Sequence, residues 1–168
     1  MVIFGVDPGL HATGYGIIQT AGTVPQLIAA GDIRPPRQRT LGERLEIIHV
    51  ELSQLLHRFP PDIVVLEKLF THHAHVTTAT LMAHARGVAC LVAQEQGVPL
   101  AEYLPRQVKQ SITGSGAASK AQVARMVGQW LPDADPHWSS DATDALALAL
   151  VHAHIGRQRE RLPLGAHA

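Results

Sequence analysis

Four carboxylates stand where two apolar runs end and where one helix-forming segment begins. Asp7 closes Val2-Ile3-Phe4-Gly5-Val6, and Glu67 closes Ile63-Val64-Val65-Leu66. Asp141 and Asp144 open the last helix-forming segment three residues apart, so both project from one helical face. Carboxylates brought together repel, and burial is costly unless they are protonated, paired or metal-bound. A hard divalent cation such as Mg²⁺ answers that repulsion, because it takes oxygen ligands and keeps water or substrate phosphate in its shell. Two such ions roughly 3.5–4 Å apart activate a water and stabilise the leaving oxygen of a phosphodiester. Each acid alone also has a plain structural reading: an Asp before Pro-Gly is turn chemistry, and acids in a first helical turn serve the dipole. Four acids so placed, in a chain with fourteen, favour the metal site.

The elements that must hold these acids follow from periodicity. Residues 1–7, 13–19 and 26–33 read as successive strands, an antiparallel meander. Gly14 and Gly16 within the second mark close backbone approach or a bulge. Thr40 with Glu43 forms a capping box, and Leu41, Leu45, Ile48, Leu52 and Leu55 recur at helical spacing to about Arg58. Pro60-Pro61 breaks that helix ahead of a strand over 62–67. A polar loop over 68–77 leads to a long helix from about Thr78 to Gln96, closed by Gly97. A strand over 98–104 and a short helix from Pro105 through Ile112 follow, then the turn Thr113-Gly114-Ser115-Gly116. Ser119 caps a helix over 120–131. Ser139 or Ser140 caps the last, from Asp141 to about His154. Three strands followed by alternating helices and strands specify an α/β fold with a mixed sheet. The expected division is one domain over 1–155 and a basic, flexible tail over 156–168.

Composition bounds the function. The chain has 168 residues, 46% hydrophobic and 17% charged, which suits one globular domain burying roughly 70% of its unfolded surface. No apolar run approaches the roughly 18 residues of a membrane span, and Asp7-Pro8-Gly9 ends the first run before a signal-peptide core forms. The single cysteine, Cys90, reads as a free thiol in a buried helix, so a cytoplasmic protein is expected. Fourteen Lys and Arg balance fourteen Asp and Glu, and a neutral chain does not advertise nucleic-acid binding. Balance hides distribution, however. Arg34-Pro35-Pro36-Arg37-Gln38-Arg39, Arg106-Gln107-Val108-Lys109 and the Arg157/Arg159/Arg161 segment are locally basic.

These blocks carry a family resemblance. Val6-Asp7-Pro8-Gly9 with Thr13-Gly14-Tyr15-Gly16 resembles the opening of the RuvC-type Holliday junction resolvases. So do Leu66-Glu67-Lys68-Leu69-Phe70, Ala85-Arg86-Gly87-Val88-Ala89 and Arg106-Gln107-Val108-Lys109-Gln110. Ser119-Lys120-Ala121-Gln122-Val123 and Asp141-Ala142-Thr143-Asp144-Ala145-Leu146 complete the set, in family order, from Met1 to about His154. The resemblance implies a ribonuclease-H-like fold, a mixed five-stranded sheet flanked by helices. It implies a homodimer whose two sites nick opposed strands of four-way junction DNA symmetrically, in recombination and repair. It assigns Asp7, Glu67, Asp141 and Asp144 as catalytic metal ligands, with Mg²⁺ as cofactor, two ions per site, and Mn²⁺ as a substitute. Some relatives place His where this chain has Asp141. A branch-migration motor complex, RuvA and RuvB, is the implied partner.

The remaining groups are read against that frame of acids. Lys109 and Lys120 flank the glycine turn and are expected to converge on a phosphate, with Arg106 as a further DNA contact; their plain alternative is solvated helix residues. Arg86, amid small residues, reads as structural. Phe70 begins a polar loop three residues after Glu67, where an exposed aromatic can stack on an unpaired base for about 1–3 kcal/mol. The resemblance also places a junction-contacting Phe there; the alternative is a Phe tucked under the loop. His72, His73 and His75 suggest a transition-metal site by composition, but without paired cysteines they are expected to meet DNA or solvent. His137, four residues before Asp141, is an accessory group or a plain loop histidine. The stripe Leu81, Ala85, Val88, Ala89 and Val92 is expected to cover the sheet in part and to pack on its twin across a two-fold axis. Two other classes compete. An actin-like ATPase shares the Asp-x-Gly turn but needs a second phosphate loop and a longer chain. A non-catalytic junction-binding module has no use for four acids.

Overall fold

Strand alternation decides which way the acids point. In the computed structural model, β1 (Val2–Asp7), β2 (Thr13–Gln19) and β3 (Gln26–Ile33) form the expected antiparallel meander. The model describes residues 1–21, 24–68, 76–133, 135 and 137–161, with backbone alone at 76–78 and 157–161. β4 (Ile63–Glu67) pairs parallel with β1, and β5 (Leu100–Tyr103) parallel with β4, giving the order β3-β2-β1-β4-β5. Parallel neighbours need crossovers. These are α1 (Leu41–Arg58) and α2 (Val76–Glu95), which pack together on one face with Phe4, Val6, Ile17, Val64 and Leu66. The other face carries Ile3, Ile18 and Val65 and is covered by α3 (Pro105–Thr113), α4 (Lys120–Trp130) and α5 (Ser140–Arg161). This is the ribonuclease-H-like arrangement. Side chains alternate along a strand, so Asp7 and Glu67 share the α5 face with Ile3 and Val65. One residue before the acids, Val6 is in register with Leu66, so the carboxylates leave the sheet side by side.

Helix α5 lies directly on the strand backbones. A Cβ on Gly5 would stand 2.0 Å from the Ala145 carbonyl oxygen, and one on Gly14 would stand 2.1 Å from that of Asp141. Small faces on both sides, glycine below and Ala142, Ala145 and Ala149 above, allow that approach. The predicted caps form. Thr40 and Glu43 exchange both capping-box bonds, and the Ser119 hydroxyl accepts the Gln122 N–H at 3.2 Å. Gly114, at φ 79°, closes α3 in the left-handed region.

Three expectations change. Helix α2 starts at Val76, before the expected Thr78, and α5 runs to Arg161 instead of ending near His154. The Arg157-Gln158-Arg159-Glu160-Arg161 run is made of helix formers, and Gly156 alone costs only about 1 kcal/mol. The helix therefore continues into the segment expected to be a tail; residues 162–168 lie outside the described residues. The third concerns the α2 stripe: Ala85, Ala89 and Val92 cover the sheet, as expected of part of it, and are fully committed there, whereas Leu81 and Val88 are only partly buried. The outward face is instead Thr80, His84, Gly87 and Leu91, the last 51% exposed. Cys90 is a partly buried free thiol. Among the described residues no helix is long and apolar enough to cross a membrane.

Candidate active site

The C-terminal ends of β1 and β4 and the first turns of α5 open onto one cleft. Asp7, Glu67, Asp141 and Asp144 all line it, together with Lys109 from α3 and Lys120 from α4. Six residues named from sequence thus meet, drawn from five elements. The Lys120 ammonium donates to Asp144 Oδ2 at 2.8 Å, so in the protein alone it neutralises an acid instead of waiting free for a phosphate. Arg106 does not line the cleft. It is exposed and its side chain lies across Gly116 in the neighbouring turn. His137 is also outside, exposed, with its backbone N–H bonded to Asp135 Oδ1 at 2.8 Å. Phe70, His72, His73 and His75 lie outside the described residues.

The electrostatics are those of a site short of positive charge. Burial first, then the charges of Asp144, Glu67 and Asp141, push the Asp7 carboxyl up to about 7, against the opposing pull of Lys120. Glu67 is raised by burial and then by Asp144, with Lys120 and Lys109 opposing. Asp141 is raised by burial and then by Asp32. The hydrogen bond to Asp144 raises Lys120 in turn. Among the described residues no three acidic, histidine or cysteine groups already converge as a closed cage. A hard divalent ion needs none, since Mg²⁺ is commonly held by one or two carboxylates with waters and substrate phosphates completing its shell. Four oxygen-donor acids, three of them raised by burial and by neighbouring carboxylates that Lys120 only partly offsets, fit such an ion.

The raised carboxyl has a consequence for stability. Asp7 keeps in the folded state a proton that the unfolded chain releases near its ordinary value of 3.8. The folded state therefore binds more protons between about pH 4 and 7, and stability falls as pH rises through that window. The loss levels above pH 7 at no more than about 4 kcal/mol, taking about 1.36 kcal/mol per pK unit. A divalent ion held by Asp7 would displace that proton. Thermal melts should thus show Mg²⁺ raising the melting temperature more at pH 8 than at pH 6; equal shifts at the two pH values would overturn the assignment of Asp7.

Asp32 and Arg44 escaped the sequence reading. Asp32 on β3 accepts the Ser139 hydroxyl through Oδ1 at 2.6 Å and pairs through Oδ2 with Arg34, at 3.0 Å; Arg34 itself lines the cleft. Ser139, not Ser140, caps α5, accepting the Ala142 N–H at 3.0 Å. Arg44 is 8% exposed, and its Nη2 donates to the Leu10 carbonyl at 2.5 Å, tying the β1–β2 loop to α1. Its signal was available: Arg44 falls on the buried stripe with Ile48 and Leu52. Arg86 is structural, as read. It donates to the Glu67 carbonyl at 3.2 Å and pairs with Glu102, tying the end of β4 to α2 and β5.

Comparison with known proteins agrees with this geometry. The family model described as crossover junction endodeoxyribonuclease RuvC matches residues 3–152. The RuvC of Xanthobacter autotrophicus is 44% identical over 152 residues, covering 90% of this chain and 89% of that protein. The RuvC of Alkaliphilus oremlandii is 41% identical over 160 residues, 95% and 97% of the two chains. Among solved structures, Thermus thermophilus RuvC in complex with Holliday junction substrate superposes with a TM-score of 0.87 at 35% identity, over 95% of this chain and 96% of that one. The yeast mitochondrial Holliday junction resolvase shares the fold, with a TM-score of 0.65 at 12% identity over 94% and 83%. A match spanning both strand-end acids and the α5 pair leaves one conclusion: the chain belongs to the crossover junction endodeoxyribonuclease RuvC family.

Proposed function

We propose that this protein resolves four-way DNA junctions by metal-dependent nicking of two opposed strands, with Asp7, Glu67, Asp141 and Asp144 as its metal ligands. The observation that carries this reading is the meeting of the four acids in one cleft, in a chain 35% identical to a RuvC solved with Holliday junction substrate. Two Mg²⁺ per site, replaceable by Mn²⁺, would polarise the scissile phosphate and acidify the attacking water. The chain's part is to hold ligands at fixed places: Asp7 and Glu67 from the rigid sheet, Asp141 and Asp144 from the helix packed upon it. The water oxygen forms the new bond to phosphorus as the bond to the leaving sugar oxygen breaks, and that oxygen takes up a proton. Lys109 and Lys120 bring positive charge to the phosphoryl oxygens, while Arg106, outside the cleft, contacts the DNA backbone further along.

A labelled four-way junction with Mg²⁺ should give paired nicks at symmetry-related positions, with linear duplex of the same sequence left intact. ATP hydrolysis in place of nicking would instead support the actin-like alternative. Paired nicks require two sites, so the protein acts as a homodimer. Sedimentation should find twice the chain mass, and a monomer alone, with and without junction, would refute the dimer. Cooperation with RuvA and RuvB would present the junction to that dimer.

Phe70, three residues after Glu67, is proposed to stack on a base opened near the crossover. Binding rests on many phosphate contacts, but cleavage depends on geometry, where a misplacement of about 1 Å can cost roughly 100-fold. Phe70→Ala should therefore bind junctions within about 3-fold of wild type yet cleave roughly 100-fold more slowly in single-turnover assays. Phe70→Trp should keep most of the activity. Wild-type cleavage by Phe70→Ala would leave Phe70 without this role.

A further inference from the structure

Cross-strand register places Asp32 in the same row as the catalytic acids. Asp7 on β1 pairs with Gly14 on β2, and Gly14 pairs with Asp32 on β3. Directly opposed residues of antiparallel strands point to one face, so Asp32 and Asp7 flank a gap where Gly14 has no side chain. The first turn of α5 settles into that gap, with the Asp141 carbonyl oxygen over Gly14. On one side of the gap stands Asp7. On the other, Asp32 Oδ1 accepts the Ser139 hydroxyl at 2.6 Å, a contact between residues 107 apart in sequence.

We propose that Asp32 and Ser139 form a latch that positions Asp141 and Asp144 for metal binding by fixing the N-terminus of α5 to β3. This rests on the reading of Asp141 as a metal ligand. The latch is saturated and directional. Ser139 has one hydroxyl proton, which goes to Asp32, while its oxygen accepts the Ala142 N–H at 3.0 Å. Its carbonyl accepts the Thr143 hydroxyl at 2.9 Å. The second Asp32 oxygen is occupied by Arg34, and the carboxylate is 15% exposed, so Asp32 serves as an anchor and not as a fifth ligand. Charge-assisted O–H···O⁻ bonds are short and strong. This one acts two residues before Asp141, where a small rotation of the helix start swings the carboxylate most.

The test is Mn²⁺ binding to the DNA-free protein, followed by the loss of the free-ion electron spin resonance signal. A helix cap alone is separable from the latch, because Gly is nearly as well tolerated at an N-cap as Ser yet offers Asp32 no hydroxyl. Ser139→Gly and Asp32→Ala should each weaken Mn²⁺ binding by roughly 10-fold, the low end for loss of a ligand's supporting partner. Ser139→Thr, which restores the hydroxyl, should bind within about 2-fold of wild type. The Asp32→Ala/Ser139→Gly double variant should lose little more than either single change, the coupling expected of two halves of one contact. Additive losses, or wild-type Mn²⁺ binding by Ser139→Gly, would overturn the latch. Asp141→Asn in the same assay separates the two readings. If it weakens Mn²⁺ while Ser139→Gly does not, the ligand reading stands and the latch falls; if Asp141→Asn binds as wild type, both fall.

Discussion

Asp7→Asn should abolish nicking while making the metal-free protein more stable. The substitution keeps the side chain's shape and one acceptor oxygen but removes the charge from the most strongly perturbed carboxyl of the cleft. Metal-ion catalysis contributes several kcal/mol, and each 1.36 kcal/mol is tenfold in rate, so a loss of about 10³-fold or more is expected. Stability moves the other way. Burial and the charges of Asp144, Glu67 and Asp141 raise Asp7 to about 7, so at pH 8 the folded protein carries a charge that its surroundings oppose. Asparagine relieves that opposition, and the melting temperature without metal should rise at pH 8 and change less at pH 5. Junction affinity should stay within about 3-fold, because on the proposed reading it rests mainly on Lys and Arg contacts to phosphates. Gain of stability with loss of cleavage separates a ligand from a structural residue. Nicking at the wild-type rate by Asp7→Asn would sink the metal assignment.

Much of the fold was legible because its signals are local. The Thr40 capping box, the Ser119 cap, Gly97 as a helix stop, and the apolar runs ending in Asp7 and Glu67 are each complete within a few residues. The acids were legible for the same reason, since strand parity and helical spacing fix the face on which each one lies. What escaped depends on contacts between distant segments. Nothing local to Asp32 marks it as the partner of Ser139, because that pairing exists only once β3 and α5 meet. The α2 stripe was legible in part: periodicity identifies an apolar face but not what covers it, and the sheet takes Ala85, Ala89 and Val92 entirely while Leu81 and Val88 stay partly buried. Lys120 shows the same limit. Its place beside the glycine turn was readable, but its bond to Asp144 follows from how α4 packs against α5.

Among the described glycines, Gly5→Ala and Gly14→Ala should be the most damaging substitutions, for a reason that joins stability to catalysis. The added carbon would sit 2.0 Å from the Ala145 carbonyl oxygen in the first case and 2.1 Å from the Asp141 carbonyl oxygen in the second. Neither neighbour is a side-chain tip that can turn aside; both are backbone of α5. The helix must therefore lift from the sheet by roughly 1 Å to restore ordinary contact, breaking the close packing of a dense core. Overpacking usually costs about 1–3 kcal/mol, and a clash against backbone belongs at or beyond the upper end. Urea denaturation of Gly5→Ala should show that loss. Gly14→Ala should add a catalytic defect larger than its stability defect, because the shifted backbone carries Asp141 itself. A 1 Å displacement there costs roughly 100-fold in cleavage even where the protein remains folded. Gly128→Ala in α4 is the control, with nothing within 4 Å of its added carbon, and should stabilise by about 0.5–1 kcal/mol. Wild-type stability in Gly5→Ala, together with wild-type nicking in Gly14→Ala, would mean that α5 does not rest on the strand backbones and that some other contact sets Asp141 and Asp144 over the sheet.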